Sequence, residues 1–219
     1  MTLVTDELIE RYRTLPPATI GHFTGTEILD SGIKPLFTPL SIVGRARTVR
    51  LPRGDGAMVR PAIQSIQPGD VLVMDQDGDD QVTSWGEMTS LAAKMKGCVG
   101  VIIEGSVTDW AEIRAQQMPT FARAIVARIG HRLDQPEGAL QVPISVGGVI
   151  VNPGDLVVAD DNGIIIMSAE RAEELYAVSR ASEDRAPLVR RWLEAGGDLA
   201  ELAGLTGDKI TAMLEERGW

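Results

Sequence analysis

Apolar residues fall along this chain in two rhythms, and their alternation lays out the fold. Runs at 71–75 and 98–103 are nearly all apolar, the mark of strands covered on both faces. Segments 41–51, 120–127, 156–159 and 164–167 read as further strands, and 142–146 with 149–151 as a hairpin turned by Gly147-Gly148. Helical spacing takes over between them. Leu8, Ile9, Tyr12 and Leu15 predict a helix over 5–15, closed by Pro16-Pro17, and a second helix follows at 18–29. Further helices are predicted at 57–66, at 86–96 through Leu91, Ala92 and Met95 up to Gly97, at 109–117, and at 208–217. Another starts at Ala169 behind the cap Ser168 and runs to 182 or beyond, with Pro187 as an interruption or a new start. Leu188, Trp192 and Leu193 continue its apolar stripe. Segment 76–84 is polar and predicted exposed, and Glu104-Gly105-Ser106 is predicted to break the strand before it. Strands alternate with helices in the middle and gather as hairpins later. The expected class is α/β, layered with mixed sheets, as one domain over 1–219 with a helical extension from about residue 169.

Two short repeats sharpen the strand starts. Pro68-Gly69-Asp70 and Pro153-Gly154-Asp155 each precede three apolar residues. Proline and glycine set a turn and the aspartate braces it, so Asp70 and Asp155 read as structural.

Composition removes several function classes. A net charge of −10 argues against a nucleic-acid partner, which wants a basic stripe. The single cysteine, Cys98, lies in an apolar run; it excludes an intramolecular disulfide and a cysteine-cluster zinc site, and it reads as a small buried hydrophobe. No basic region followed by an apolar run opens the chain, and no apolar run approaches the ~18 residues of a membrane span. The expectation is a cytoplasmic protein without a membrane partner. Of the two histidines, His22 reads as helix packing and His131 as a loop residue.

Nucleophile-elbow, zinc-protease, P-loop and dinucleotide fingerprints are all missing. Carboxylates, arginines and glycine turns remain, concentrated at 86–112. Asp109 and Glu112, three apart, share a helical face, and Glu87 opens the preceding helix. If strand 98–103 runs parallel to its neighbours, its carboxyl end brings Asp109 to the loop carrying Glu87. One or two carboxylates plus water form the set that Mg²⁺ prefers. The amides of Glu87, Met88 and Thr89, free at a helix start, suit a substrate carboxylate. The plainer alternative makes Asp109 an N-cap and Glu112 a solvated acid.

An ordered series of motifs adds to this. Gly86-Glu87 is followed by LAAKMKGCVGVIIEGSVTD and then by Pro119-Thr120-Phe121-Ala122-Arg123. Upstream stand Gly44, Ala46, Thr48-Val49, Gly54-Asp55 and the 68–73 motif; downstream stand Val142-Pro143, Gly147-Gly148-Val149, Pro153-Gly154-Asp155, Asp160 and Gly163. Over residues 15–180 the series resembles the family of 4-hydroxy-4-methyl-2-oxoglutarate aldolases, which also holds the regulator of ribonuclease E activity A (RraA). The resemblance implies a compact α-β-β-α sandwich of swivelling β/β/α type, assembled as a homotrimer or homohexamer with active sites at subunit boundaries. It implies Mg²⁺ or Mn²⁺ held by Asp109 and waters, with Glu87 orienting the waters. Gly86, Met88 and Thr89 would face the substrate, a small carboxylated acid cleaved at a C–C bond with Lewis-acid help.

Position 108 departs from that family. An arginine precedes the metal aspartate there and meets the substrate; here Thr108 stands in its place. A hydroxyl does not replace a bidentate, permanent charge, and losing such a donor costs ~10² to 10³ in rate. Arg123 is the candidate to approach the same volume, or else a support for its own strand. A changed reaction at the same metal site (hydrolysis or isomerisation) and a non-catalytic ring-shaped regulator stay open as alternatives.

Overall fold

A computed structural model describes residues 3–130 and 137–218, so His131 lies outside the described residues. The chain opens with α1 (Asp6–Tyr12), whose cap Thr5 accepts the Leu8 N–H at 3.1 Å, and α2 (Pro17–Ile20). β1 (Lys34–Pro35), β2 (Ser41–Arg50), α3 (Val59–Ser65), β3 (Asp70–Asp79), α4 (Glu87–Met95), β4 (Gly100–Val107), α5 (Trp110–Ala115) and β5 (Thr120–Ile125) follow. Then come β6 (Ala139–Leu140), β7 (Ile144–Val146), β8 (Val149–Val151), β9 (Leu156–Asp160), β10 (Gly163–Met167), α6 (Ala169–Glu194), a 3-10 turn (Leu199–Leu202) and α7 (Gly207–Glu216).

Among the described residues, eight strands form one sheet in the order β1-β5-β4-β3-β2-β9-β10, with β6 beside β2. β2, β3, β4 and β5 run parallel in chain order; β1, β6, β9 and β10 pair antiparallel. The mixed α/β class expected from the sequence is therefore present. Alternation explains the apolar runs. Leu72 and Met74 of β3 join the core under α3, α4 and α5, while Val71 and Val73 join the core on the other face. That other face is covered by the β7–β8 hairpin through Ile144, Val146 and Val151. Val43 and Val49 share one face of β2, so α1 and the start of α6, packed around Tyr12, lie on the same side as α3–α5. With every crossover helix on one face, the carboxyl ends of β3, β4 and β5 and the amino ends of α4 and α5 collect at one rim.

Both braced turns behave as expected. Asp70 accepts the Gln67 N–H at 2.9 Å and pairs with Arg47 at 2.7 Å, and Asp155 accepts the Asn152 N–H at 2.7 Å. Cys98 is buried, and burial raises its thiol pKa.

Several expectations need correction. The helix at 18–29 shrinks to α2, because the chain turns at Gly21 and runs on without helix. Segment 76–84 is not exposed throughout: β3 continues to Asp79, and Gln76, Asp79 and Thr83 are buried. Asp79 is satisfied there by the Gln81 and Val82 N–H groups, both at 3.0 Å. Glu104-Gly105-Ser106 does not end β4, which bulges and runs to Val107. A Cβ at Gly105 would come within 2.8 Å of the Gln76 Cβ, so the glycine lets the bulged strand pass. Finally, α6 runs unbroken through Pro187. Proline in a helix interior costs about 3 kcal/mol. The turn is retained by a small core beyond it, where Trp192 meets Leu202, Ile210 and Leu214 and donates from Nε1 to the Asp198 carbonyl at 3.0 Å.

Candidate active site

The site forms where β4 ends against the start of α4. Thr83, fully buried, donates from Oγ1 to the Ser106 carbonyl at 2.7 Å and accepts the Trp85 N–H at 3.0 Å. Trp85 is buried beside it and donates from Nε1 to Ser90 Oγ at 2.7 Å. These bonds clamp the 83–86 turn between the strand and the helix. Thr89 Oγ1 closes the first turn of α4, accepting the Gly86 N–H at 2.9 Å.

Asp109 meets this turn from the other side. It precedes α5 in a left-handed conformation, φ 55° and ψ 42°, which aspartate tolerates better than most residues. Its side chain does not cap α5. Instead Oδ2 accepts the Glu87 N–H at 2.9 Å, and Oδ1 accepts the Thr108 hydroxyl at 3.2 Å. The N-cap expectation is right about position and wrong about partner. The Thr108 N–H donates to the Trp85 carbonyl at 2.9 Å, tying the strand end to the turn. A Cβ on Gly86 would collide with Asp109 Oδ2 and come within 2.7 Å of Thr108 Cγ2. Only glycine admits that approach.

Gly86, Glu87, Met88, Thr89, Thr108 and Asp109 thus line one cleft of about 180 Å³, with Thr83, Ser84, Trp85 and Ile129 completing its walls. Trp85, Thr83 and Ile129 were missed in the sequence; the aromatic beside the glycine-acid pair was the available signal. Larger clefts of about 350 to 400 Å³ lie by β9 and β10, and one of about 330 Å³ lies at Arg50, Arg53, Asp75 and Asp77. In one by β9, Asp160 and Asp161 are occupied with the Asn162 and Leu40 N–H groups. Chemistry therefore favours the smaller cleft. Glu112 is exposed on α5 and outside the lining.

Arg123 sits elsewhere. Phe121 packs in the hairpin-side core and Ala122 in the helix-side core, so alternation turns Arg123 to the hairpin side. There it grips Glu104 through Nε and NH2 and Asp30 through both terminal nitrogens. Those hydrogen bonds, Asp30 first and Glu104 second, raise its pKa. It is absent from the lining of the Asp109 cleft.

The donor chemistry bears on a metal. Among the described residues no three His, Cys, Asp or Glu side chains gather in one place. An all-protein zinc cage is not built, whereas one or two carboxylates completed by water suit Mg²⁺ or Mn²⁺. Asp109, presented at the surface with both oxygens oriented, fits that role with Glu87 beside it.

Fold and rim together define a mixed α/β protein with a carboxylate-bearing cleft at the carboxyl ends of parallel strands. The chain belongs to the RraA-like family, described as Aldolase/RraA, whose model matches residues 3–166. A Halalkalibacterium halodurans protein, provisionally named a 4-hydroxy-4-methyl-2-oxoglutarate aldolase, is 32% identical across 86% of this chain and 94% of its own. The structure of Streptomyces coelicolor RraAS2, described as an unusual member of the RNase ES inhibitor RraA protein family, has a TM-score of 0.75 at 26% identity, covering 87% of this chain and 98% of that one. An uncharacterized Pseudomonas syringae protein shares the fold over 97% of this chain and 96% of its own, with a TM-score of 0.78 at 22% identity.

Proposed function

We propose that this protein is a divalent-metal-dependent carbon–carbon lyase of aldolase or decarboxylase type, acting on a small oxo- or hydroxy-carboxylic acid. The supporting observation is the Asp109 carboxylate, oriented by the Glu87 N–H at the amino end of α4. Relatives named as aldolases point the same way.

Asp109 would hold Mg²⁺ or Mn²⁺, which when bound supplies Lewis-acid polarisation of the substrate's oxo group. The chain does the rest. The Met88 and Thr89 amides in the first turn of α4 receive the substrate carboxylate. In a 4-hydroxy-2-oxo acid the C3–C4 bond breaks and its electron pair passes toward the 2-oxo group. The 4-hydroxyl gives up its proton as it becomes a carbonyl, and C3 takes up a proton to yield pyruvate. Glu87, whose carboxylate has no hydrogen-bond partner among the described residues, accepts the hydroxyl proton directly or through water.

Around the cleft Met88, Leu91, Met95, Trp110, Ile125 and Ile129 are exposed. Exposed apolar side chains of this kind suit a second copy of the chain, and the family resemblance makes the assembly a homotrimer or homohexamer. No helix among the described residues is long and apolar enough to cross a membrane, in keeping with a cytoplasmic enzyme. Thr108 also leaves room for a different reaction, hydrolytic or isomerising, at the same metal site. The likeness to an RNase ES inhibitor family member favours a second reading, a ring-shaped regulator without chemistry.

The test is pyruvate release from 4-hydroxy-4-methyl-2-oxoglutarate, oxaloacetate and 4-hydroxy-2-oxopentanoate, with Mg²⁺ or Mn²⁺ and with EDTA. Metal-dependent turnover lost in Asp109→Asn is expected. No turnover on any of them, with no metal bound by the wild type, removes the lyase.

A further inference from the structure

The Asp109 carboxylate is held at both oxygens by its own chain, at Oδ2 by the Glu87 N–H and at Oδ1 by the Thr108 hydroxyl. Thr108 is itself fixed, through its N–H to the Trp85 carbonyl and through its methyl against the bare Cα of Gly86. The apolar part of the cleft wall is Trp85, Met88 and Ile129, and Thr83, Ser84, Thr89 and Thr108 bring hydroxyls. Among the described lining residues the charged side chains are Glu87 and Asp109, and none is cationic.

Resting on the lyase reading, we propose that Thr108 is a positioning and selectivity residue: it fixes Asp109 and shapes the cleft for a 2-oxo or 2-hydroxy acid with one carboxylate and an uncharged tail, over one with a second, distal carboxylate. The proximal carboxylate of either acid would be received by the α4 amides, beside the cation that Asp109 would hold. An alkyl tail then lies on Met88 and Ile129. A distal carboxylate in the same place loses hydration, gains no cationic partner among the described lining residues and shares the cleft with Glu87. Arginine at position 108 would supply the missing partner, and threonine does not.

The test compares wild type with Thr108→Ser, Thr108→Val and Thr108→Arg, with circular dichroism to confirm folding. Mn²⁺ affinity is read by electron paramagnetic resonance, and the Mn²⁺-loaded proteins are titrated with 2-oxobutanoate and 2-oxoglutarate. Loss of a hydrogen bond to a carboxylate predicts Mn²⁺ binding about 3- to 10-fold weaker in Thr108→Val. Thr108→Ser should stay near wild type. Wild type should bind 2-oxobutanoate about 10-fold or more tighter than 2-oxoglutarate, and Thr108→Arg should invert the order. Wild type that binds no Mn²⁺ overturns the lyase reading and this inference together. Wild type that binds Mn²⁺ but prefers 2-oxoglutarate overturns the selectivity and leaves the lyase reading standing. Unchanged Mn²⁺ affinity in folded Thr108→Val overturns the positioning role.

Discussion

Replacing Arg123 by alanine removes a guanidinium that holds three parts of the chain at once. It bonds Glu104 on β4 and Asp30 in the loop before β1, and Glu104 also accepts the Gly147 N–H of the β7–β8 turn. The side chains of Glu104, Arg123 and Asp30 are 13%, 24% and 51% exposed. Stripping one partner from a buried pair costs about 3–5 kcal/mol. The low end applies, because Glu104 keeps Gly147 and Arg123 is partly wet; the half-exposed Asp30 pair adds about 1 kcal/mol at most. Arg123→Ala should therefore lose roughly 3–4 kcal/mol, or about 6–15 °C in Tm for a chain of this size. Urea unfolding of Arg123→Ala, Glu104→Gln and the double variant would read this, and the double variant should lose less than the sum. There is a pH signature too. Arg123 first, and the Gly32 N–H second, hold the Asp30 pKa below its ordinary value. The stability this confers is present above the ordinary carboxylate range and is lost as pH falls through the lowered pKa. Arg123→Ala should flatten that acid limb. A loss under about 1 kcal/mol, joined to abolished turnover, would refute the structural role and return Arg123 to the substrate.

Two other outcomes can be measured directly. Gly86→Ala should keep the fold, since Gly86 is extended at φ −157°, but should displace Asp109 and Thr108, lowering Mn²⁺ affinity at least 10-fold for a stability cost of about 1–3 kcal/mol; calorimetric titration beside thermal unfolding separates the two. Asp75 has its pKa raised, by burial first and by Glu104 and Asp77 as further causes, so its ionisation opposes folding as pH rises through the raised value. Asp75→Asn should accordingly raise Tm at neutral pH and remove that slope, seen in melts across mildly acidic to neutral buffers.

The apolar centres of β3 and β4 were legible because residues alternating between two buried faces are all apolar. Their ends were not. Arg50 pairs in register with Asp75, and Asp75 with Glu104, while Glu104 bonds Arg123 on the next strand. Glu104 alone looks like a break signal; cross-strand register makes it part of a charged row within the sheet. In the candidate site, the meeting of Asp109 with the start of α4 was legible through the spacing of Asp109 and Glu87 around a buried strand. What the sequence hid was direction: Asp109 turns back to the Glu87 amide through a left-handed backbone, and Arg123 alternates to the opposite face. A one-dimensional pattern places residues on elements but does not count through a bulge to say which face follows.

The central position of β2 has a consequence for the nascent chain. Its one edge is matched by β3, which follows closely; the other is met at Val49 and Arg50 by β6 and over Ser41 to Arg45 by β9, for which the ribosome must travel from Arg50 to Leu156. Until then the Ser41 to Arg45 stretch of that edge offers open N–H and carbonyl groups to any passing strand. A chain cut short before Asp160 leaves a half-built sheet with a sticky border. Production yield, more than final stability, is where damage to β9 should first be felt.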